Sequence, residues 1–185
     1  MIYALKGLHE LSISNKQVGF LLPNAYAIAD KIFAQRGANW DYIIPMPSSH
    51  EVANILARRV SRKVGLEKYL PDALKKITFS EMREQIKEIE TTSKIRNKIN
   101  SCVKRFAKKY GWDSDFQIKC INPRKYRKLV NPLIYCPVEE DTEPKRVLLI
   151  DDMVTSGTTL KSAEYLLQNR YPNVTVEAMT IFSTS

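Results

Sequence analysis

A chain of 185 residues with 44% apolar side chains can bury the core of one ordinary domain and is neither collagenous nor disordered in composition. No apolar run approaches the ~18 residues of a membrane span, and the N-terminal MIYALKGLHE lacks a basic-then-apolar signal pattern, so a cytoplasmic protein with no membrane partner is expected. The net charge of +9 is local: residues 75–128 hold 16 Lys/Arg against 6 Asp/Glu, a surplus of +10, whereas the rest holds 13 against 14, a net of −1.

Residues 26–35 (YAIADKIFAQ) carry apolar side chains at helical spacing and run into Arg36-Gly37, a C-cap signal. Residues 40–47 (WDYIIPMP) predict a short apolar strand stopped by two prolines. Ser48 and Ser49 then offer to cap a helix over residues 50–64, with Val52, Ile55, Leu56 and Val60 on one face and Gly65 at its end. Residues 77–128 read as long, charged and weakly helical. A short strand is expected over 133–136 (LIYC) and a fully apolar one over 147–150. Residues 158–169 are amphipathic through Leu160, Ala163, Leu166 and Leu167, and 174–182 form the last strand. Strand, helix, strand at this spacing implies right-handed crossovers and a parallel sheet covered by helices, an α/β fold. Cys102, Cys120 and Cys136 are an odd set without CxxC spacing, so neither a disulfide framework nor a zinc site is indicated and inert thiols are expected.

The most informative stretch is VLLIDDMVTSGTTL, residues 147–160. Its apolar strand would carry Asp151 and Asp152 at the carboxyl end, where ligands of open α/β sheets bind. The turn through Thr155, Ser156, Gly157, Thr158 and Thr159 offers backbone N–H groups, hydroxyls and a helix N-terminus, a combination that binds a phosphate monoester. Two carboxylates beside a phosphate cradle would repel the phosphate unless they address another part of the ligand, and vicinal hydroxyls suit them. The two halves together ask for a sugar phosphate such as ribose 5-phosphate. A Walker B strand is the main rival, but none of the six glycines is followed by Lys and then Ser/Thr, as its partner loop requires.

This stretch resembles the phosphoribosyl pyrophosphate (PRPP) signature of type I phosphoribosyltransferases at all thirteen positions of residues 147–159. ALKG near the N-terminus, a helix, and DYIIPMP are similar to the start of the ComF-like branch, and the likeness continues more loosely through residues 57–66 and 95–106. There are departures from that pattern. Ser48-Ser49-His50-Glu51 stand where an RGFNQ-like segment is usual, the upstream cysteine-rich zinc segment is missing, and residues 107–143 have no counterpart. The resemblance implies one phosphoribosyltransferase-like domain over residues 1–185. Its fold would be a Rossmann-like parallel sheet with flanking helices, carrying a basic insertion or hood at about 75–143.

It further implies a pentosyltransferase that uses Mg²⁺ and PRPP, displacing pyrophosphate from ribose C1 with a nitrogen acceptor, a nucleobase in the first instance. Asp151 and Asp152 take the catalytic positions and the ribose hydroxyls, with Met153, Val154, Thr155, Ser156, Gly157, Thr158 and Thr159 around the ribose 5-phosphate. Met46, Pro47, Ser48 and Ser49 fall on the pyrophosphate loop, and Ser48 and Ser49 also read as simple capping residues. His50 lies beside that loop, although this chemistry needs positioning and charge neutralisation more than an acid or base. A mobile loop of the family falls within the basic insertion, whose densest cluster is Arg124, Lys125, Arg127 and Lys128, with Arg83, Lys94 and Arg96 as other cations. An acceptor hood would come from near Tyr3 and Lys6 or from residues 77–143, and Phe182 reads as core before it reads as a stacking platform. The resemblance also allows a homodimer. The alternative from another class is a binding or regulatory module that keeps the fold and uses its basic insertion to hold nucleic acid or a protein partner.

Overall fold

In chain order the elements are β1 (Tyr42–Pro45), α1 (Val52–Val64), β2 (Leu74–Lys76), α2 (Phe79–Glu88), α3 (Ser93–Tyr110), β3 (Leu133–Tyr135), β4 (Arg146–Val154), α4 (Thr158–Arg170) and β5 (Thr175–Ser183). The computed structural model describes residues 27, 29–31, 33–35, 37, 39–48, 51–137, 142–154 and 157–183. Three strands form a parallel sheet in the order β1-β4-β5, and β2 pairs with β3 as a separate antiparallel ribbon. The α/β expectation holds, and so does the sheet's parallel sense.

Because successive strand residues face opposite sides, the apolar runs of β1 and β4 serve two cores. Tyr42, Ile44, Val147 and Leu149 pack on one face against Ala163, Leu167 and Tyr171 of the α4 side and against Ala73, Leu74 and Leu133 of the ribbon. Ile43, Leu148 and Ile150 pack on the other face against Leu56, Ala57 and Val60 of α1 and against Trp40. A strand buried on both faces needs a continuous apolar run rather than an alternating one, which is what residues 147–150 supply. Each Ile or Leu fully buried in this way contributes roughly 1.5–3 kcal/mol.

Several expected boundaries shift. The helical residues between Ala27 and Gln35 end as expected at Gly37, whose φ is 73° and whose amide donates to the Phe33 carbonyl at 2.9 Å. Helix α1 starts at Val52 with Glu51 at the N-cap and no side-chain capping bond there; Ser49 and His50 lie outside the described residues. Strand β4 does not stop at Ile150 but runs on to Val154, because β5 supplies partners as far as Ser183. The aspartate pair therefore sits inside the strand.

The largest difference lies in residues 77–130, which are well-formed helices around their own core rather than weakly helical chain. Phe79, Met82 and Ile86 of α2 meet Ile99 and Val103 of α3, closed by Phe116 and Ile121. Thr78 and Glu81 form a reciprocal capping box: the Thr78 hydroxyl accepts from the Glu81 amide at 3.1 Å, and the Glu81 carboxylate accepts from the Thr78 amide at 2.6 Å. The Thr92 hydroxyl accepts from the Ile95 amide at 3.4 Å and starts α3. This basic unit leaves and rejoins the body through the two strands of the ribbon, in the register Leu74↔Tyr135, Lys75↔Ile134, Lys76↔Leu133.

Candidate functional site

At its carboxyl end β1 gives out before β4. Pro45 is the last paired residue, opposite Ile150, and the Met46 amide then donates to the Ile150 carbonyl at 2.7 Å. Beyond that bond β4 continues with β5 alone, Asp151 opposite Thr180 and Met153 opposite Phe182. The residues of the pyrophosphate-loop expectation and the aspartate pair thus follow the ends of the pairing on two adjacent strands, β1 and β4. Met46 is buried, Pro47 is half-buried and Ser48 is exposed.

Strand alternation separates the two aspartates. Asp151 follows Val147 and Leu149 in parity and lies half-buried on the α4 side, whereas Asp152 follows Leu148 and Ile150 and is 3% exposed on the α1 side. The Asp152 amide donates to the Asp151 carboxylate at 2.8 Å, which fixes that carboxylate against the backbone. Met153 and Val154 are half-buried. Thr155 and Ser156 lie outside the described residues. Gly157 caps α4 in the left-handed conformation, φ 65° and ψ 2°, and its carbonyl accepts from the Lys161 amide at 2.9 Å. Among the described residues a Cβ built there would meet nothing within 4 Å, so it is the backbone, not crowding, that favours glycine. Thr158 and Thr159 are the first helical residues.

Three cavities lie between the basic unit and the rest of the protein, one at the β1–α1 connection and two at α4. One of about 320 Å³ is lined by Met46, Pro47, Ser48 and Glu51 from the β1–α1 connection and by Lys76 and Asp115 opposite. A second, about 400 Å³, has Lys76, Asp115 and Lys119 around Thr159. The third, about 640 Å³, places Glu88 and Lys128 across from Thr158, Lys161 and Tyr165. Lys76 and Asp115 line both of the first two, so they stand between the loop after β1 and the start of α4. Neither was singled out by the sequence reading. Lys76 sits in a three-residue strand whose partner is 57 positions away, and no local pattern marks it.

Of the cations that were singled out, only Lys128 borders these three cavities. Arg127 donates to the carbonyls of Ile121 and Lys119, each at 3.1 Å, and Arg96 donates to the Ile89 carbonyl at 2.8 Å, so both tie the unit together internally. Arg83 lies over Trp112 at 5.3 Å and Lys125 over Tyr126 at 5.5 Å. Arg124 and Lys94 are exposed. Tyr3 and Lys6 lie outside the described residues, as does the side chain of Phe182.

Behind the first cavity runs a chain of hydrogen bonds. The Tyr69 hydroxyl donates to Asn54 Oδ1, and Asn54 Nδ2 donates to the Glu51 carboxylate at 2.9 Å. Burial raises the Tyr69 pKa, with Arg58 opposing and Glu51 and Asp72 adding, so Tyr69 stays a neutral donor. Burial also pushes the Cys120 thiol up to about 12, reinforced by neighbouring Cys102. That agrees with the expectation of an inert thiol.

Among the described residues no group of three or more His, Cys, Asp or Glu could hold a metal ion by itself, and no helix is long and apolar enough to cross a membrane. A Mg²⁺ carried by a diphosphate takes most of its oxygens from substrate and water and needs only one or two carboxylates. Asp151, and Glu51 and Asp115 in the first cavity, meet that requirement. No curated protein and no solved structure matches the chain. The family model described as phosphoribosyl transferase domain matches residues 21–184, from before β1 to the end of β5. The chain therefore belongs to the phosphoribosyl transferase domain family and has its type I fold, a parallel sheet with flanking helices.

Proposed function

We propose that the protein is a Mg²⁺-dependent phosphoribosyltransferase of the ComF-like branch, which transfers ribose 5-phosphate from PRPP to a nitrogen acceptor of the nucleobase class. The observation that supports this reading is the carboxyl end of the sheet, where β1 ends one residue short of Asp151 on β4, β4 leads on to the left-handed Gly157 that opens α4, and the loop after β1 shares a cavity with Lys76. In this reading residues 1–185 form one domain, and residues 75–143 are its hood.

Asp151 accepts the ribose hydroxyls on the α4 side, and Asp152, buried behind it, holds the strand end and the neighbouring carboxylate in place through its amide. Backbone N–H groups of the loop before α4, with Thr158 and Thr159, take the 5′-phosphate, helped by the positive end of the helix. The C1–O bond to diphosphate breaks as the C1–N bond forms, the electron pair leaves with the diphosphate, and the proton of the acceptor nitrogen passes to water. Charge grows on the leaving diphosphate, and an ammonium placed there counts for more in the transition state than in the ground state. Lys76 lies between the two halves of the site and is the cation we assign to that role, with the Ser48 hydroxyl and the amides after β1 on the far side. Glu51 and Asp115 would hold the divalent cation, which would supply charge neutralisation on the diphosphate.

Isothermal titration of the whole chain with PRPP, with and without Mg²⁺, tests binding. Mass spectrometry after incubation with PRPP and a panel of nucleobases tests transfer. Mg²⁺-dependent binding and a base-dependent release of diphosphate are expected. Absence of PRPP binding at millimolar concentration would overturn the proposal.

A further inference from the structure

Helix α3 holds seven Lys/Arg and no Asp/Glu in its 18 residues. Its apolar side is committed to the core of the basic unit through Ile99, Val103 and Ala107, and Cys102 is buried as well. Six of its cations, Lys94, Lys98, Lys104, Arg105, Lys108 and Lys109, are exposed. At 3.6 residues per turn and 1.5 Å rise they fall within about 140° of the helix circumference, over a length of about 22 Å. None of the six forms an ion pair among the described residues.

The fold has no use for this stripe. Lysines near the last turn complement the helix dipole, but Lys94 in the first turn opposes it, and no acidic residue there compensates. Like charges one turn apart, Lys94 with Lys98, Lys104 with Lys108 and Arg105 with Lys109, repel by about 0.2–0.5 kcal/mol each. A face that costs stability and is kept clear of carboxylates fits a polyanion. The residues between the cations on this face are Asn97 and Ser101, so it lacks the apolar anchors by which a basic helix enters a lipid surface. At the end of the helix Tyr110, about 100° around the axis from Lys109 and so outside the stripe, remains 44% exposed, with the Lys109 ammonium 4.9 Å from its ring centre and Phe106 at 5.9 Å. A cationic track with an accessible aromatic ring beside its last cation suits unpaired bases and their phosphates.

We infer that the exposed face of α3 is a binding surface for single-stranded nucleic acid, separate from the sheet-edge site and independent of the transfer reaction. Fluorescence anisotropy of the whole chain with labelled oligo-dT, oligo-U and duplex DNA of 20 nucleotides or base pairs, at 50–200 mM salt, tests it. The expected result is tighter binding of a single strand than of duplex, with the two homopolymers showing whether DNA or RNA is preferred. Replacing Lys98, Lys104, Arg105 and Lys108 together by Ala should weaken binding at least tenfold. It should also flatten the slope of log K against log salt by about 3, since each phosphate neutralised on a single strand contributes about 0.7. Tyr110→Leu should weaken binding without changing that slope. Equal binding by parent and quadruple variant would overturn the inference, as would equal or tighter binding of duplex. So would a preference for phosphatidylserine vesicles over oligonucleotide, which would point to a membrane surface instead.

Discussion

The Met46 amide donates to the Ile150 carbonyl at 2.7 Å, and that bond is the last one between β1 and β4. One residue further along β4, Asp151 has a strand partner only on the β5 side, at Thr180. A carboxylate is thereby carried past the end of the neighbouring strand, on the α4 side of the sheet. Positions of this kind at the carboxyl edge of a parallel sheet bind ligands because no strand remains to cover them.

The two aspartates should answer differently to truncation. Asp151→Ala should weaken PRPP binding at least tenfold, about 1.4 kcal/mol, with little change in melting temperature. Asp152→Ala, at a buried position, should lower stability by about 1–3 kcal/mol as well. Titration calorimetry and thermal denaturation of both variants check this. Unchanged PRPP affinity in the double variant would remove the aspartates from the ribose site.

At Gly157 the cost of a side chain is conformational. Gly157→Val should fold and lose PRPP binding, because a β-branched residue resists φ near 65° at about 1–2 kcal/mol or more and the backbone at the start of α4 then turns differently. Gly157→Asn, which tolerates the left-handed region, should keep more of the affinity than Gly157→Ala. Equal loss in all three would mean that open space, not backbone conformation, is what the ligand needs.

Lys76→Ala should weaken binding of inorganic diphosphate with Mg²⁺ by about tenfold, about 1.4 kcal/mol, while ribose 5-phosphate binding stays close to that of the parent. Lys125→Ala, whose ammonium lies over the Tyr126 ring away from the three cavities at the sheet edge, should change neither. Equal effects of the two substitutions would show that the unit acts through its overall charge rather than through one residue.

Hydrogen exchange should separate the basic unit from its hinge. Amides of α2 and α3 that face the buried Phe79, Met82, Ile99 and Val103 should exchange slowly with or without ligand, because the unit has its own core. Added protection on PRPP–Mg²⁺ binding should concentrate at 74–78, 115–119 and 128–133, where the unit joins the body and faces Thr158 and Thr159. Uniform protection of residues 77–130 would instead mean that the whole unit orders on binding.

Cys120 should resist a thiol reagent in the native protein, whereas the partly exposed Cys136 reacts. A thiol whose pKa rises from 9.0 to about 12 on folding favours the folded state fully below pH 9. That contribution is lost as pH climbs toward 12, because the unfolded chain releases its proton first. Cys120→Ala should therefore flatten the fall in stability between those limits, read from urea melts at successive pH values.

Local patterns in the chain were enough for the sheet's central strand and the helices that flank it. The apolar run at 147–150, the helical spacing at 158–169 and the small loop between them each carry their own signal, and burial on two faces or one is written in the period. Even the capping box at Thr78 and Glu81 is local, and it marks the start of α2 inside a segment whose charge suggested only weak helix. The tertiary structure alone decided the rest. A three-residue strand such as β2 has no period to read and exists because Leu133, Ile134 and Tyr135 return beside it. The length of β4 depends on hydrogen bonds from β5, so the extent of the strand, and with it the opposite faces of Asp151 and Asp152, lay beyond any apolar run. The position of Lys76 between the loop after β1 and the start of α4, which the denser basic clusters do not share, has the same origin: charge is a property of composition, but what a cation stands beside depends on which distant segments pack together.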